Sequence, residues 1–131
     1  NKSFANKCKK KSINFIQLLS PTTSKERMKK IIKDSHDMIY YISMLSTIGG
    51  KLKISPKKIL ENYKKIKKLS NNKNIVIGFG ITKKTISSLK MADGLVVGSQ
   101  LCKAIEDSIK KRQNPVTNLY KLVYNLKNKI L

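Results

Sequence analysis

Tryptophan is absent from this sequence, histidine occurs once, and Asp and Glu number 7 against 29 Lys and Arg, a formal charge of +22. No apolar run approaches the roughly 18 residues of a membrane-spanning helix. The N-terminus, NKSFANKCKKK, has no apolar h-region, which argues against a secretory signal; it also lacks a starting Met, which points to a chain that begins mid-protein. Cys8 and Cys102 stand far apart and form no CxxC pair. With the lone His36 they are too few for a four-ligand zinc site. Two buried, reduced thiols in a cytosol-like compartment are expected.

The 131 residues are 40% hydrophobic and 27% charged, enough for a packed core and one domain. The basic excess suggests a nucleic-acid-binding module as one reading. Its composition points elsewhere. Of the 29 cations 27 are Lys, whereas phosphate and base readers favour the bidentate fork of Arg. Lys, Ile and Asn are abundant and share AT-rich codons, so codon bias accounts for a solvated Lys coat without a nucleic-acid partner.

Strand and helix patterns alternate along the chain. Residues 1–11 read as the tail of a helix with Phe4 and Cys8 on one face, and Ile13–Leu19 as a short, mostly buried strand closed by Ser20-Pro21. Thr23 and Glu26 have capping-box spacing ahead of a helix carrying Met28, Ile31 and Ile32. Met38–Ser43 is a second strand. A long connection with Gly49-Gly50 follows, and Ser55-Pro56 then starts a helix with Ile59, Leu60, Tyr63, Ile66 and Leu69 at a 3.6 period.

Asn74–Ile77 forms a third strand ending in Gly78-Phe79-Gly80-Ile81, and Thr82 caps a short helix with Ile86 and Leu89. Asp93–Val97 is a fourth strand ending in Gly98-Ser99. Two helices complete the chain, the first burying Leu101, Ile105 and Ile109, the second carrying Leu119, Leu122, Val123, Leu126 and Ile130. The pattern predicts an α/β fold of four parallel strands with helical crossovers and an extra C-terminal helix. It amounts to half of a (β/α)8 TIM barrel of about 250 residues.

In parallel α/β folds ligands bind at the carboxyl ends of the strands. Two adjacent ends here are Gly-rich turns ahead of helix starts, Gly78-Phe79-Gly80 and Gly98-Ser99. Free backbone N–H groups at such turns, with a helix dipole behind them, make an anion site suited to phosphate. Gly49-Gly50 lies in a connection long enough to act as a lid. Tyr40 and Tyr41 alternate across the second strand, so one of them faces the barrel interior or mouth. The carboxylates belong elsewhere: Asp37 and Asp93 precede strands, Glu26 sits at a helix start, and Asp34, Glu61, Glu106 and Asp107 belong to helices. No general acid or base is expected on the binding face.

These residues resemble the C-terminal half of the tryptophan synthase alpha chain over nearly the whole length. The matching segments are Asn14-Phe15-Ile16-Gln17-Leu18-Leu19-Ser20-Pro21-Thr22-Thr23-Ser24, Ile39-Tyr40-Tyr41-Ile42-Ser43, Gly78-Phe79-Gly80-Ile81 and Gly94-Leu95-Val96-Val97-Gly98-Ser99. The resemblance implies a lyase of tryptophan biosynthesis that splits indole-3-glycerol phosphate into indole and glyceraldehyde-3-phosphate. It implies a beta-chain partner in an alpha2-beta2 assembly that uses pyridoxal phosphate to join indole to serine. No cofactor is implied for this chain itself, nor any membrane association, and the implied compartment is the cytoplasm or a plastid stroma.

By position, the resemblance places Gly49, Phe79, Gly80, Gly98 and Ser99 around the substrate phosphate and Tyr40 in the indole pocket. The family's two catalytic carboxylates belong to the half not matched here, so this piece alone is expected to be inactive. The family's mobile loop reads close to S-x-x-G-x-T-G. Here Ser46 replaces the Gly and Ile48 the Thr, and Thr47 stands one position early. Another phosphate-binding (β/α)8 enzyme is the alternative within the same fold. Four strands cannot close a barrel, so the chain by itself is expected to be marginal, oligomeric or aggregation-prone.

Overall fold

Each apolar strand is followed by a helical segment, and that alternation lays all the strands parallel. The computed structural model describes residues 2–43, 54–70 and 72–131. In chain order these form α1 (Lys2–Lys10), β1 (Gln17–Leu19), α2 (Lys25–Asp34), β2 (Met38–Ile42), α3 (Pro56–Ser70), β3 (Asn74–Gly78), β4 (Gly94–Leu95), α4 (Ser99–Lys110) and α5 (Pro115–Lys127). One turn of 3-10 helix, Ile86–Leu89, lies between β3 and β4. The sheet order is β1-β2-β3-β4 with every neighbouring pair parallel.

One face of the sheet is packed. Leu19, Ile39, Tyr41, Ile75 and Ile77 alternate along the strands and are buried against Ile32, Ile59, Tyr63, Ile66, Ile86 and Leu89. The other face is apolar but open. The register sets Leu18, Tyr40, Val76 and Gly94 side by side on it. Leu18 is 56% exposed, and Ile16 and Val96 are exposed as well. The first strand is therefore not mostly buried. Its inner face and outer edge have no cover among the described residues, and only three residues join the ladder. The fourth strand likewise shrinks to Gly94–Leu95, because among the described residues it has a hydrogen-bonding neighbour on one side only.

Other expectations shift by a residue or a face. Ser24, not Thr23, caps α2, accepting a hydrogen bond from the Arg27 N–H at 3.4 Å. Thr23 is engaged instead with Ser20, whose N–H donates to its hydroxyl at 3.0 Å. Thr82 does not cap the 3-10 turn directly; its hydroxyl accepts from the Lys84 N–H at 3.2 Å. On α4 the inward face runs through Leu101, Ala104 and Ser108, leaving Ile105 and Ile109 exposed. The reason is α5: Asn118 Nδ2 donates to Ser108 Oγ at 3.0 Å, which turns that side of α4 inward. Val123 is exposed on α5, whereas Leu122 and Leu126 are buried. Neither thiol is buried: Cys8 is half-buried and Cys102 lies on the outer face of α4, both free.

The amino end of the sheet is fastened by polar contacts. Lys73 Nζ donates to the last carbonyls of α2, at Ile32 and at Ser35 (2.6 Å). Asp93 Oδ2 accepts from the Ile75 N–H and from Lys67 Nζ, both at 2.7 Å. Burial alone would raise the Asp93 carboxyl. Hydrogen bonds from Lys67 and the Ile75 amide, with the Lys67 charge, outweigh that and hold it below its ordinary value.

A carboxyl depressed in the folded state contributes stability above its unfolded pKa of about 3.9, and loses it as pH falls through the folded value. Asp93→Asn is accordingly expected to lower stability at neutral pH by about 1–3 kcal/mol. It should also flatten the decline below about pH 4. Urea midpoints measured against pH check this, and an acid decline as steep as the parent's would contradict it.

Candidate functional site

The carboxyl ends of β2, β3 and β4 converge on a cavity of about 340 Å³ lined by Tyr40, Phe79, Gly80, Ile81, Val96, Gly98 and Ser99. Its floor is the turn after β3. Phe79 and Gly80 both have positive φ, 68° and 71°. That left-handed conformation suits Gly80, but in Phe79 it costs about 1–2 kcal/mol. Among the described residues, the backbone N–H groups of Phe79, Gly80 and Ile81 have no acceptor.

Tyr40 forms the wall. It projects from the inner face of β2 across Gly78, where a Cβ would lie 1.8 Å from its hydroxyl. Its ring meets Phe79 edge to face, with centroids 6.3 Å apart and planes at 88°. Burial pushes the Tyr40 hydroxyl above the ordinary tyrosine value, so it stays protonated at neutral pH. Tyr41, one residue on, points into the core and accepts a hydrogen bond from Asn62 at 3.0 Å. Of the two tyrosines it is therefore Tyr40 that faces the mouth.

The far side is the start of α4. Gly98 precedes the helix and Ser99 is its first residue, so the free N–H groups of the first turn lie at the cavity rim. Gln100 ties α4 to the segment that follows the Phe79-Gly80 turn, its side-chain oxygen accepting from the Lys83 N–H at 3.2 Å. Among the described residues no carboxylate lines the cavity. Unpaired N–H groups, a helix N-terminus and an aromatic wall can hold an anion beside a planar apolar group.

Tyr40, Phe79, Gly80, Gly98 and Ser99 thus meet in one place. Gly49, Ser46, Thr47 and Ile48 lie outside the described residues. Sequence reasoning missed Ile81 and Val96, which complete the lining. It also passed over Ser43, which is fully buried and donates through Oγ to the carbonyls of Gly78 (2.7 Å) and Phe79 (2.5 Å). A lone hydroxyl closing an otherwise apolar strand was the available signal. Exposed lysines occur on all five helices rather than along one stripe. No cluster of metal-ligating side chains occurs among the described residues, and no helix there is long and apolar enough to cross a membrane.

The model of the tryptophan synthase alpha chain family matches residues 1–131. A tryptophan synthase alpha chain from Pelagibacter ubique is 76% identical over 130 residues, covering 99% of this chain and 49% of the relative. The Methanocaldococcus jannaschii alpha chain is 33% identical over 79% of this chain and 37% of its own. Among solved structures, a Legionella pneumophila tryptophan synthase alpha subunit superposes with a TM-score of 0.82 at 25% identity, over 98% of this chain and 46% of that one. A chain of the Pyrococcus furiosus tryptophan synthase complex superposes at 0.75 with 26% identity, over 97% of this chain and 49% of that one. The four strands thus match part of a (β/α)8 barrel, and the chain spans half or less of the length of these relatives.

Proposed function

The chain belongs to the tryptophan synthase alpha chain family, and on that premise we propose that these residues form the phosphate-gripping half of a lyase that splits indole-3-glycerol phosphate. The observation that carries the reading is the single cavity where the Phe79-Gly80 turn meets the N-terminus of α4 at Gly98-Ser99, beside Tyr40.

The phosphate is held by the N–H groups of both turns, where the dipole of α4 favours negative charge. The indole ring lies towards Tyr40, whose neutral phenol and edge-to-face contact with Phe79 give a flat apolar wall. Backbone donors hold the anion without a charged side chain, so the lysine coat need not take part. Proton transfer falls to carboxylates of the half that this chain does not match. The product indole passes to a beta chain, which uses pyridoxal phosphate.

Equilibrium dialysis of the chain against inorganic phosphate and against indole-3-glycerol phosphate tests the proposal. Saturable binding without cleavage is expected, and the indole-bearing ligand should bind more tightly. Gly98→Asp sets a carboxylate at the rim, where an added Cβ meets nothing within 4 Å. It should weaken phosphate binding about tenfold or more, equivalent to at least about 1.4 kcal/mol, with little change in folding. If the variant binds phosphate as the parent does, the lysine coat is the receptor and the proposal fails.

A further inference from the structure

Ser43 sits at the junction between β2 and the turn after β3, fully buried, with both its N–H and its hydroxyl aimed at that turn. Its N–H donates to Gly78 O at 3.0 Å. Its hydroxyl lies 2.7 Å from Gly78 O and 2.5 Å from Phe79 O, one proton shared between two successive carbonyls. A trans peptide is planar, with its C=O and N–H pointing in opposite directions. Drawing the Gly78 carbonyl towards β2 therefore turns the Phe79 N–H away from β2. Drawing in the Phe79 carbonyl does the same to the Gly80 N–H. The side opposite β2 is that of β4 and the Gly98-Ser99 start of α4.

We infer that Ser43 is a positioning residue for anion binding: by gripping the Gly78 and Phe79 carbonyls it aims the Phe79 and Gly80 N–H groups into the cavity. The inference rests on the phosphate reading above and deepens it. Two further observations agree. Phe79 is held at φ 68°, a conformation that a non-glycine residue keeps only when its surroundings over-determine it. The N–H groups so aimed have no acceptor among the described residues. The hydroxyl acts through the backbone and does not itself touch the ligand.

Ser43→Ala removes the hydroxyl's hold on both carbonyls, the sole one on Phe79 O among the described residues, and keeps the backbone bond to Gly78 O that continues the strand pairing. Ser35→Ala is the matched control. Ser35 is also buried and donates through Oγ to a backbone carbonyl, Ile31 O at 2.6 Å, but at the opposite end of the sheet. Two readouts are taken on the full chain: the dissociation constant for inorganic phosphate, and hydrogen–deuterium exchange of the peptide containing Phe79 and Gly80. Ser43→Ala is expected to weaken phosphate binding about tenfold and to speed exchange in that peptide. Ser35→Ala should leave both at the parent value, whatever it does to the melting temperature.

Equal phosphate affinity in parent and Ser43→Ala overturns the positioning role while leaving the phosphate reading in place. Parallel losses of affinity in both serine variants overturn it too, since they reduce the effect to general destabilisation. Absence of saturable binding by the parent overturns the phosphate reading. In that case unchanged exchange in Ser43→Ala refutes the grip on the turn independently.

Discussion

At micromolar concentration the chain is expected to sediment as a dimer or larger species rather than as a 14.9 kDa monomer. Parallel sheets are normally covered on both faces. Among the described residues only the helix-side face is packed, while Ile16, Leu18 and Val96 on the other are exposed beside Tyr40 and Val76. The outer edges of β1 and β4, which pair with no strand among the described residues, add backbone groups that another chain can use. The charge of +22 opposes association, so raising salt should strengthen it, the reverse of what salt does to polyanion binding. Leu18→Lys with Val96→Lys places two charges on the open face and should weaken self-association by at least about tenfold, equivalent to roughly 1.4 kcal/mol. Sedimentation at two salt concentrations checks this. A parent chain that is monomeric and unfolds in one cooperative transition would show that the open face is no liability.

The second large effect is expected at Gly78. An added Cβ would lie 1.8 Å from the Tyr40 hydroxyl oxygen, 2.3 Å from Cζ and 2.9 Å from Cε1. A tyrosine ring cannot yield locally as a lysine tip can; the whole side chain must swing out and lose its contact with Phe79. Gly78→Ala is expected to lower stability by about 1–3 kcal/mol and to dismantle the cavity wall. Adding Tyr40→Ala should restore part of the loss, because the clash and the truncation share one space. Gly98→Ala, with nothing within 4 Å of the new Cβ, should stay within about 0.5 kcal/mol of the parent. Urea midpoints in the Leu18→Lys/Val96→Lys background rank the three. Equal tolerance at Gly78 and Gly98 would mean that Tyr40 does not rest on β3.

Much of this architecture was legible from residue patterns. Ile39 and Tyr41, then Ile75 and Ile77, alternate at the period of two that a strand imposes, and Ile59, Tyr63 and Ile66 keep the helical period. Ser55-Pro56 and Asn114-Pro115 mark helix starts that local chemistry decides: Ser55 Oγ accepts from the Lys58 N–H, and Asn114 Oδ1 from the Val116 N–H. The structure departs from these patterns where neighbours decide. β1 and β4 came out shorter than their apolar runs, since a ladder extends only as far as its partner. Ile105 and Ile109 were expected inside because isoleucine is apolar, but the packing of α5 selected the face with Ser108.

The candidate site divides in the same way. Gly78-Phe79-Gly80 and Gly98-Ser99 declare themselves in sequence as glycine-bearing turns after apolar strands, although only Gly80, at φ 71°, is a glycine that the local backbone itself requires. The sequence by itself determined the order of elements, the parallel sheet and the two turns that carry the N–H donors. Tertiary structure alone decided that Tyr40 rather than Tyr41 faces the mouth, that its ring makes glycine necessary at position 78, and that Ser43 grips the turn 35 residues further along the chain. The physical reason is range. Periodicity, capping and turn chemistry act between residues a few positions apart, whereas the direction of an N–H group at the site depends on a hydroxyl brought to it by parallel pairing of β2 with β3.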